Sequence, residues 1–249
     1  MALGDAAGAR AAFGEVDRLT TNLLVRADNL LEWAQAELAA GDAAACEALL
    51  RRQAELATTN LPLASVSLGS LLQAQILRAR GRETEAEGLL ERLAHDPGAP
   101  PENRAEAWIE LAAIAAGRGM TNAVRQAGFQ ALDLGVAPRH AWRLALRYGR
   151  ILVAFPGLEP EGAELLKRCI REQPGAPGAA DAQKALADGW LAAGSNTLAA
   201  AEYRIYLETY GEADHVFQAL RGLALALLRL GSNAESATTF LKAAQATTN

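Results

Sequence analysis

Groups that move protons or hold metals are scarce in this sequence. It has three histidines, His95, His140 and His215, and two cysteines, Cys46 and Cys169. No His or Cys follows another at i+3 or i+4, so the spacing of a zinc site, a disulfide framework or a Cys–His couple is missing. The thiols read as buried spacers and the histidines as solvated turn or cap residues. Basic charge is also in deficit, with 24 Lys and Arg against 29 Asp and Glu, a net charge of −5 and a pI near 5.4. That is the wrong sign for a domain that neutralises phosphates, so no nucleic-acid partner is expected. No stretch reaches the roughly 18 apolar residues of a membrane span, and no direct membrane insertion is expected.

Catalytic motifs are missing as well. There is no HExxH, and the glycine-rich stretches at 96–100 and 173–180 lack the Gly-Lys-Ser/Thr ending of a phosphate loop and follow no strand. Glu83, Glu85, Glu87 and Glu91 are interspersed with Arg82 and Arg92 and read as a solvated helix face, not as the paired carboxylates of a glycosidase. The expectation is a protein that is not an enzyme, with no catalytic residue, no cofactor and no metal.

Small side chains dominate what is present. There are 57 alanines, aromatics are 5% of residues, and a hydrophobic fraction of 51% with mean hydropathy +0.02 marks a folded chain. Alanine in such excess, with few β-branched residues, predicts an all-α fold in which helix packs on helix. Of the 24 cations 21 are Arg and 3 are Lys, a composition typical of a GC-rich genome.

Glycines recur at a fixed interval. Gly41, Gly81, Gly117 or Gly119, Gly157, Gly194 and Gly231 are 36 to 40 residues apart, and each follows an apolar helical run. A second series of breakers alternates with them: Leu61-Pro62, Pro97-Gly98-Ala99-Pro100, Gly135-Val136-Ala137-Pro138, Pro174-Gly175-Ala176-Pro177 and Gly211-Glu212-Ala213-Asp214. Two interleaved series of one period predict six stacked antiparallel helical hairpins. Before Gly194, Ala182, Ala185, Leu186 and Trp190 form one apolar face, and Ser195-Asn196 offers a cap to a partner helix that buries Ala199, Tyr203 and Tyr206. Around Gly231, Leu220, Leu223, Ala224 and Leu227 precede a Ser232-Asn233 cap and a helix expected to bury Ala237, Phe240 and Ala243. The alternation from Leu61 to Leu68 runs into Leu71, Leu72, Ile76 and Leu77 and is read as a helix opened by Pro62.

These residues resemble the tetratricopeptide-repeat (TPR) family. The fifth unit supplies Leu186, Ala187, Trp190, Gly194, Ala199 and Tyr203 at that family's positions, and the sixth supplies Leu223, Ala224, Leu227, Gly231 and Phe240, with Ser236 where alanine is usual. The second matches at Gly81, Ala86, Leu90 and Pro97 or Gly98. The other three match less well: Cys46 takes the alanine place in the first, Phe129 falls one residue past the aromatic place in the third, and Ala163 fits the fourth only with an insertion. The resemblance implies a right-handed α-solenoid with repeats at 25–60, 61–98, 101–137, 138–175, 178–211 and 214–247. Residues 15–249 would form one superhelical domain after a disordered or capping segment at 1–14. The 37- to 40-residue period and the phrase Ala201 to Gly211 are similar to the extended repeats of bacterial cell-envelope proteins. The first 20 residues carry no apolar core of an export signal. The compartment stays open, with a periplasmic or envelope location preferred to the cytoplasm.

The same resemblance implies that another protein or peptide is bound in the concave groove lined by the first helix of each hairpin. Its positions fall on Leu71 and Arg78, on Trp108 approximately, on Arg147 or Tyr148, on Asp181, Lys184 and Asp188, and on Gln218 and Arg221. Lys184 with Arg221 could take a carboxylate, although Asp181 and Asp188 would partly cancel their field. The alternative is a self-associating structural module: the chain stops soon after Phe240, Leu241, Ala243 and Ala244 without a further capping helix, as a segment of a larger envelope protein would. An enzyme on an α/α toroid is the third reading, and it would need a ring closure and a central acidic or metal cluster that the sequence does not supply.

Overall fold

The computed structural model describes residues 6–56, 61–176, 178–211 and 215–246. All thirteen regular elements among them are α-helices. None is long and apolar enough to cross a membrane. The chain is therefore all-α. Its contacts fall into two compact units, Met1–Ala137 and Pro138–Asn249.

The first unit contains α1 (Ala6–Leu19), α2 (Leu23–Ala39), α3 (Ala43–Leu56), α4 (Leu63–Ala79), α5 (Glu83–His95), α6 (Pro101–Gly117) and α7 (Thr121–Asp133). The helices pack in pairs, α2 with α3, α4 with α5 and α6 with α7, while α2, α4 and α6 touch in succession. The second unit contains α8 (Pro138–Ala154), α9 (Glu159–Glu172), α10 (Ala179–Ala192), α11 (Asn196–Thr209), α12 (Val216–Arg229) and α13 (Asn233–Gln245), paired in the same way, with α10 touching both α8 and α12.

The glycine period has a concrete cause. After α2, the Gly41 N–H donates to the Leu38 carbonyl and the Asp42 N–H to that of Glu37, and the same two bonds recur at Gly81, Gly119, Gly194 and Gly231. This double bond closes a helix only with a left-handed residue at its centre. Those five glycines have φ between 70° and 86°. In the third pair the left-handed residue is Gly119, whereas Gly117 is the last residue of α6. At Gly194 no atom would lie within 4 Å of an added Cβ, so only backbone preference opposes substitution there. Gly194→Asn should melt near the wild type, and Gly194→Val about 1–2 kcal/mol less stable. Equal melting temperatures for the two variants would contradict the left-handed turn.

Ser195 and Ser232 do stand at the helix starts, but neither hydroxyl caps its helix. Instead their carbonyls accept from Ala199 and Ser236, and the N–H groups of Asn196 and Asn233 donate to Gly194 and Gly231. Residues 6–14, expected as a disordered or capping segment, lie in α1; residues 1–5 are outside the described residues. Docking accounts for the order of α1. Phe13 stacks on Trp33 with ring centroids 6.1 Å apart, Arg10 pairs with the buried Glu37, and Asp17 joins Arg26 and Arg52. The expected breaker residues Pro177 and 212–214 also lie outside the described residues.

Alanine supplies much of the core. Ala27, Ala34, Ala74, Ala86, Ala105, Ala112, Ala182, Ala199 and Ala224 are all fully buried. Both cysteines are free and buried, and burial pushes the Cys46 thiol up to about 11 and raises that of Cys169, so both are inert near neutrality. The expected core of the last hairpin needs correction. Leu223, Ala224 and Leu227 are buried, but α13 buries Ser236, Thr239 and Ala243, leaving Ala237 and Phe240 exposed. The Ser236 hydroxyl donates to the Ala224 carbonyl at 2.8 Å, which turns that face of α13 onto α12 and Phe240 away from it. In the third hairpin Phe129 is likewise exposed, while Ala127, Gly128 and Ala131 face inward.

Candidate functional site

In the first unit a cleft of about 510 Å³ opens beside α2, α4 and α6. Gln35, Leu38 and Ala39 come from the end of α2, Gln75, Arg78 and Ala79 from the end of α4, Glu83 from the start of α5 and Glu110 from the middle of α6. Schellman turns at Gly41 and Gly81 end α2 and α4 beside the cleft. Glu110 is 4% exposed and forms part of the floor. It accepts from the Gln75 amide at 2.9 Å and forms a short ion pair with the Arg78 guanidinium. A carboxylate this deep needs such donors, since leaving it unpaired would cost several kcal/mol, roughly 3–5.

Arg78 is the groove residue expected from the sequence that lines this cleft. Its Nε has no hydrogen-bond partner. Burial pulls the guanidinium pKa down and the charge of Glu83 pushes it back up, yet a guanidinium stays charged at any physiological pH. The cleft therefore offers a fixed cation beside two carboxylates and two carboxamides.

The other expected positions are dispersed. Leu71 and Tyr148 are 5% and 7% exposed, belong to the core and present no surface to a partner, because each lies on the packed side of its helix. Trp108 is half-buried with its ring edge-on to His95, centroids 4.9 Å apart, and does not line the cleft. Arg147 is half-buried in α8. In the second unit Lys184 is bonded to Asp188 at 2.7 Å, and Asp188 also accepts from the Tyr203 hydroxyl. Asp181 stands 3.6 Å from the His215 imidazole. Gln218 and Arg221 are exposed on α12. Asp188 already neutralises Lys184.

Several polar residues at helix contacts escaped the sequence reading. Glu110 sits between Ile109 and Leu111, and Glu202 is 5% exposed, accepting from Gln183 at 2.8 Å and pairing with Lys167 at 2.8 Å. The signal available for Glu110 was a single carboxylate inside an apolar run, a pattern that is costly unless a partner reaches it from a neighbouring helix. Among the described residues no three His, Cys, Asp or Glu side chains gather into a metal site. In comparisons with known proteins, no family model and no curated sequence matches the chain.

Proposed function

We propose that the chain is a non-catalytic protein-binding module, a right-handed α-solenoid of the tetratricopeptide type, which holds a polypeptide segment along the first helices of its hairpins. The observation that carries this reading is the cleft beside α2, α4 and α6. Its walls mix donors, Arg78 and the Gln35 amide, with acceptors, Glu83 and the Gln35 carbonyl. That mixture suits the alternating N–H and C=O groups of a peptide backbone better than it suits a uniformly charged ligand. The regular succession of first-helix contacts, α2 to α4 to α6 and α8 to α10 to α12, supports the solenoid reading.

The test fills the cleft without touching its floor. Ala79 is exposed on the rim, so Ala79→Arg should fold and melt like the wild type while blocking the opening. In crosslinking and affinity capture from native cells, the wild type should retain a specific partner that Ala79→Arg loses by roughly tenfold, a change of about 1.4 kcal/mol. Equal capture by the two proteins would overturn the cleft as the binding site.

Self-association is a second reading, favoured by Phe240 and Leu241, which are 37% and 64% exposed side by side on α13. Light scattering over a concentration series distinguishes it. A mass that rises with concentration in the wild type but not in Leu241→Glu supports association through α13, and a constant monomer mass removes it.

A further inference from the structure

A separate trough runs along α4 between α3 and α5 and shares no residue with the cleft. Three adjoining depressions of about 440, 430 and 140 Å³ flank one ridge of α4, Val66, Ser70, Gln73 and Leu77. The first half of α4 is inverted in polarity. Ser65 and Ser67 are buried, at 6% and 5% exposure, whereas Leu63 and Val66 are 60% and 49% exposed. The buried serines are satisfied: Ser65 donates to Asp28, and Ser67 donates to the Ala64 carbonyl and accepts from Asn103. The hydroxyls thus serve contacts to neighbouring first helices, and the apolar side chains of this turn line the trough.

The walls carry more cations than anions, Arg51, Arg80, Arg82 and Arg92 against Glu47, Glu85 and Asp96. Arg80 is paired with Glu47 and Arg82 with Glu85. Asp96 caps the Gly98 N–H. Arg51 on the α3 wall and Arg92 on the α5 wall are exposed and make no ion pair among the described residues. A floor apolar at Val66 and Leu77 and polar at Ser70 and Gln73, with a guanidinium free of ion pairs on each side, suits an apolar stripe flanked on both edges by carboxylates. The shape of the partner follows from the walls. All three are helices whose backbone N–H and C=O groups are bonded internally, so an extended segment would find no backbone partners there. A helix satisfies its own backbone and can lay a ridge between α3 and α5.

We propose that this trough docks an acidic amphipathic helix of a partner protein, with apolar residues at i, i+4, i+7 and i+11 spanning Val66 to Leu77 and with Glu or Asp facing Arg51 and Arg92. The site is independent of the cleft beside α2, α4 and α6.

The test uses a labelled synthetic helix about as long as the 17 residues of α4, built from Leu, Ala and Glu in that pattern, with fluorescence anisotropy as the readout. A version with Lys for Glu and a scrambled version of the same composition are the controls. The Glu peptide should bind saturably, and more weakly as salt rises. Arg51→Glu with Arg92→Glu should weaken it roughly tenfold or more, and Val66→Asp should abolish it. All three positions are exposed, so circular dichroism melts should match the wild type. Ala79→Arg, in the cleft, should bind the peptide normally. Equal affinity for the Glu and Lys peptides, or an unchanged affinity in the double Arg variant, would overturn the proposal. So would loss of binding in Ala79→Arg, which would put the peptide in the cleft, or a concentration-dependent dimer abolished by Val66→Asp, which would assign the trough to a second copy of the chain.

Discussion

Gly162→Ala should lower the melting temperature by roughly 6–12 °C, the outcome of about 3 kcal/mol in a chain of this size. A Cβ added at Gly162 would lie 2.4 Å from the Val153 nitrogen, 2.8 Å from the Gly149 carbonyl oxygen and 2.9 Å from the Leu152 carbonyl carbon. All three atoms belong to the backbone of α8, so no side chain can rotate aside, and α9 must retreat from α8. The retreat would also loosen the buried Leu166 and Cys169 against Trp142, whose indole N–H donates to the Cys169 carbonyl at 3.0 Å. The same substitution at Gly88 should have the opposite sign. Gly88 lies in α5, and its added Cβ would meet only the Arg92 Nη1 at 3.9 Å, so alanine there gains helix propensity at no steric cost, about 0.5–1 kcal/mol. Thermal melts of the two variants beside the wild type check both signs. A Gly162→Ala protein that melts with the wild type would contradict the close approach of α8 and α9.

The glycine pair shows what a sequence can and cannot disclose. Gly81, Gly194 and Gly231 were legible because a helix closed by a left-handed residue has few other choices, and that residue follows an apolar run at a regular interval. Gly162 carries no such signature, since its requirement comes from a backbone on another helix. The helices themselves were legible from their apolar period, but their rotation was less so. Phe129 and Phe240 sit about one residue from buried positions, and a residue of offset turns a side chain through about 100°. Small neighbours, Gly128 in one case and Ser236 in the other, take the close contact instead. Arg78 lines the cleft beside Glu110 and Gln75, neither of which stood out in the sequence. A polar residue in an apolar run reads as exposed until the neighbouring helix that satisfies it is known. In α1, alanine and glycine hid the helix, because its order depends on Phe13, Arg10 and Asp17 docking on elements that follow in the chain.

With Phe240 exposed on α13, a large aromatic penalty falls instead on the buried Tyr203. Tyr203 is 1% exposed, in a cluster with Ala199, Tyr206, Ala219 and Leu223, and its ring lies over Gly222. Truncation to Ala would empty a ring-sized volume that Gly222 cannot refill and should cost about 3–5 kcal/mol, or roughly 6–20 °C. Phe240→Ala, at 37% exposure, should cost about 0.5 kcal/mol or less. Tyr203→Phe separates the ring from its hydroxyl. It loses only the bond to Asp188, which keeps Lys184, so the expected cost near neutrality is about 0.5–1.5 kcal/mol. The hydroxyl also gives a pH signature. Burial first, then the hydrogen bond to Asp188 and its negative charge, raise the Tyr203 pKa well above the usual phenol value of 10.0. Because the folded value exceeds the unfolded one, this group's contribution to stability is complete below pH 10 and is lost as pH rises beyond it. Denaturant titrations from pH 8 to pH 11 should therefore show a wild-type decline at the alkaline end that Tyr203→Phe reduces. Tyr210, also raised by burial, contributes in the same direction to both proteins and cancels from their difference. Parallel alkaline curves for the two proteins would contradict a Tyr203 hydroxyl buried against Asp188, and equal losses from Tyr203→Ala and Phe240→Ala would contradict the rotation of α13.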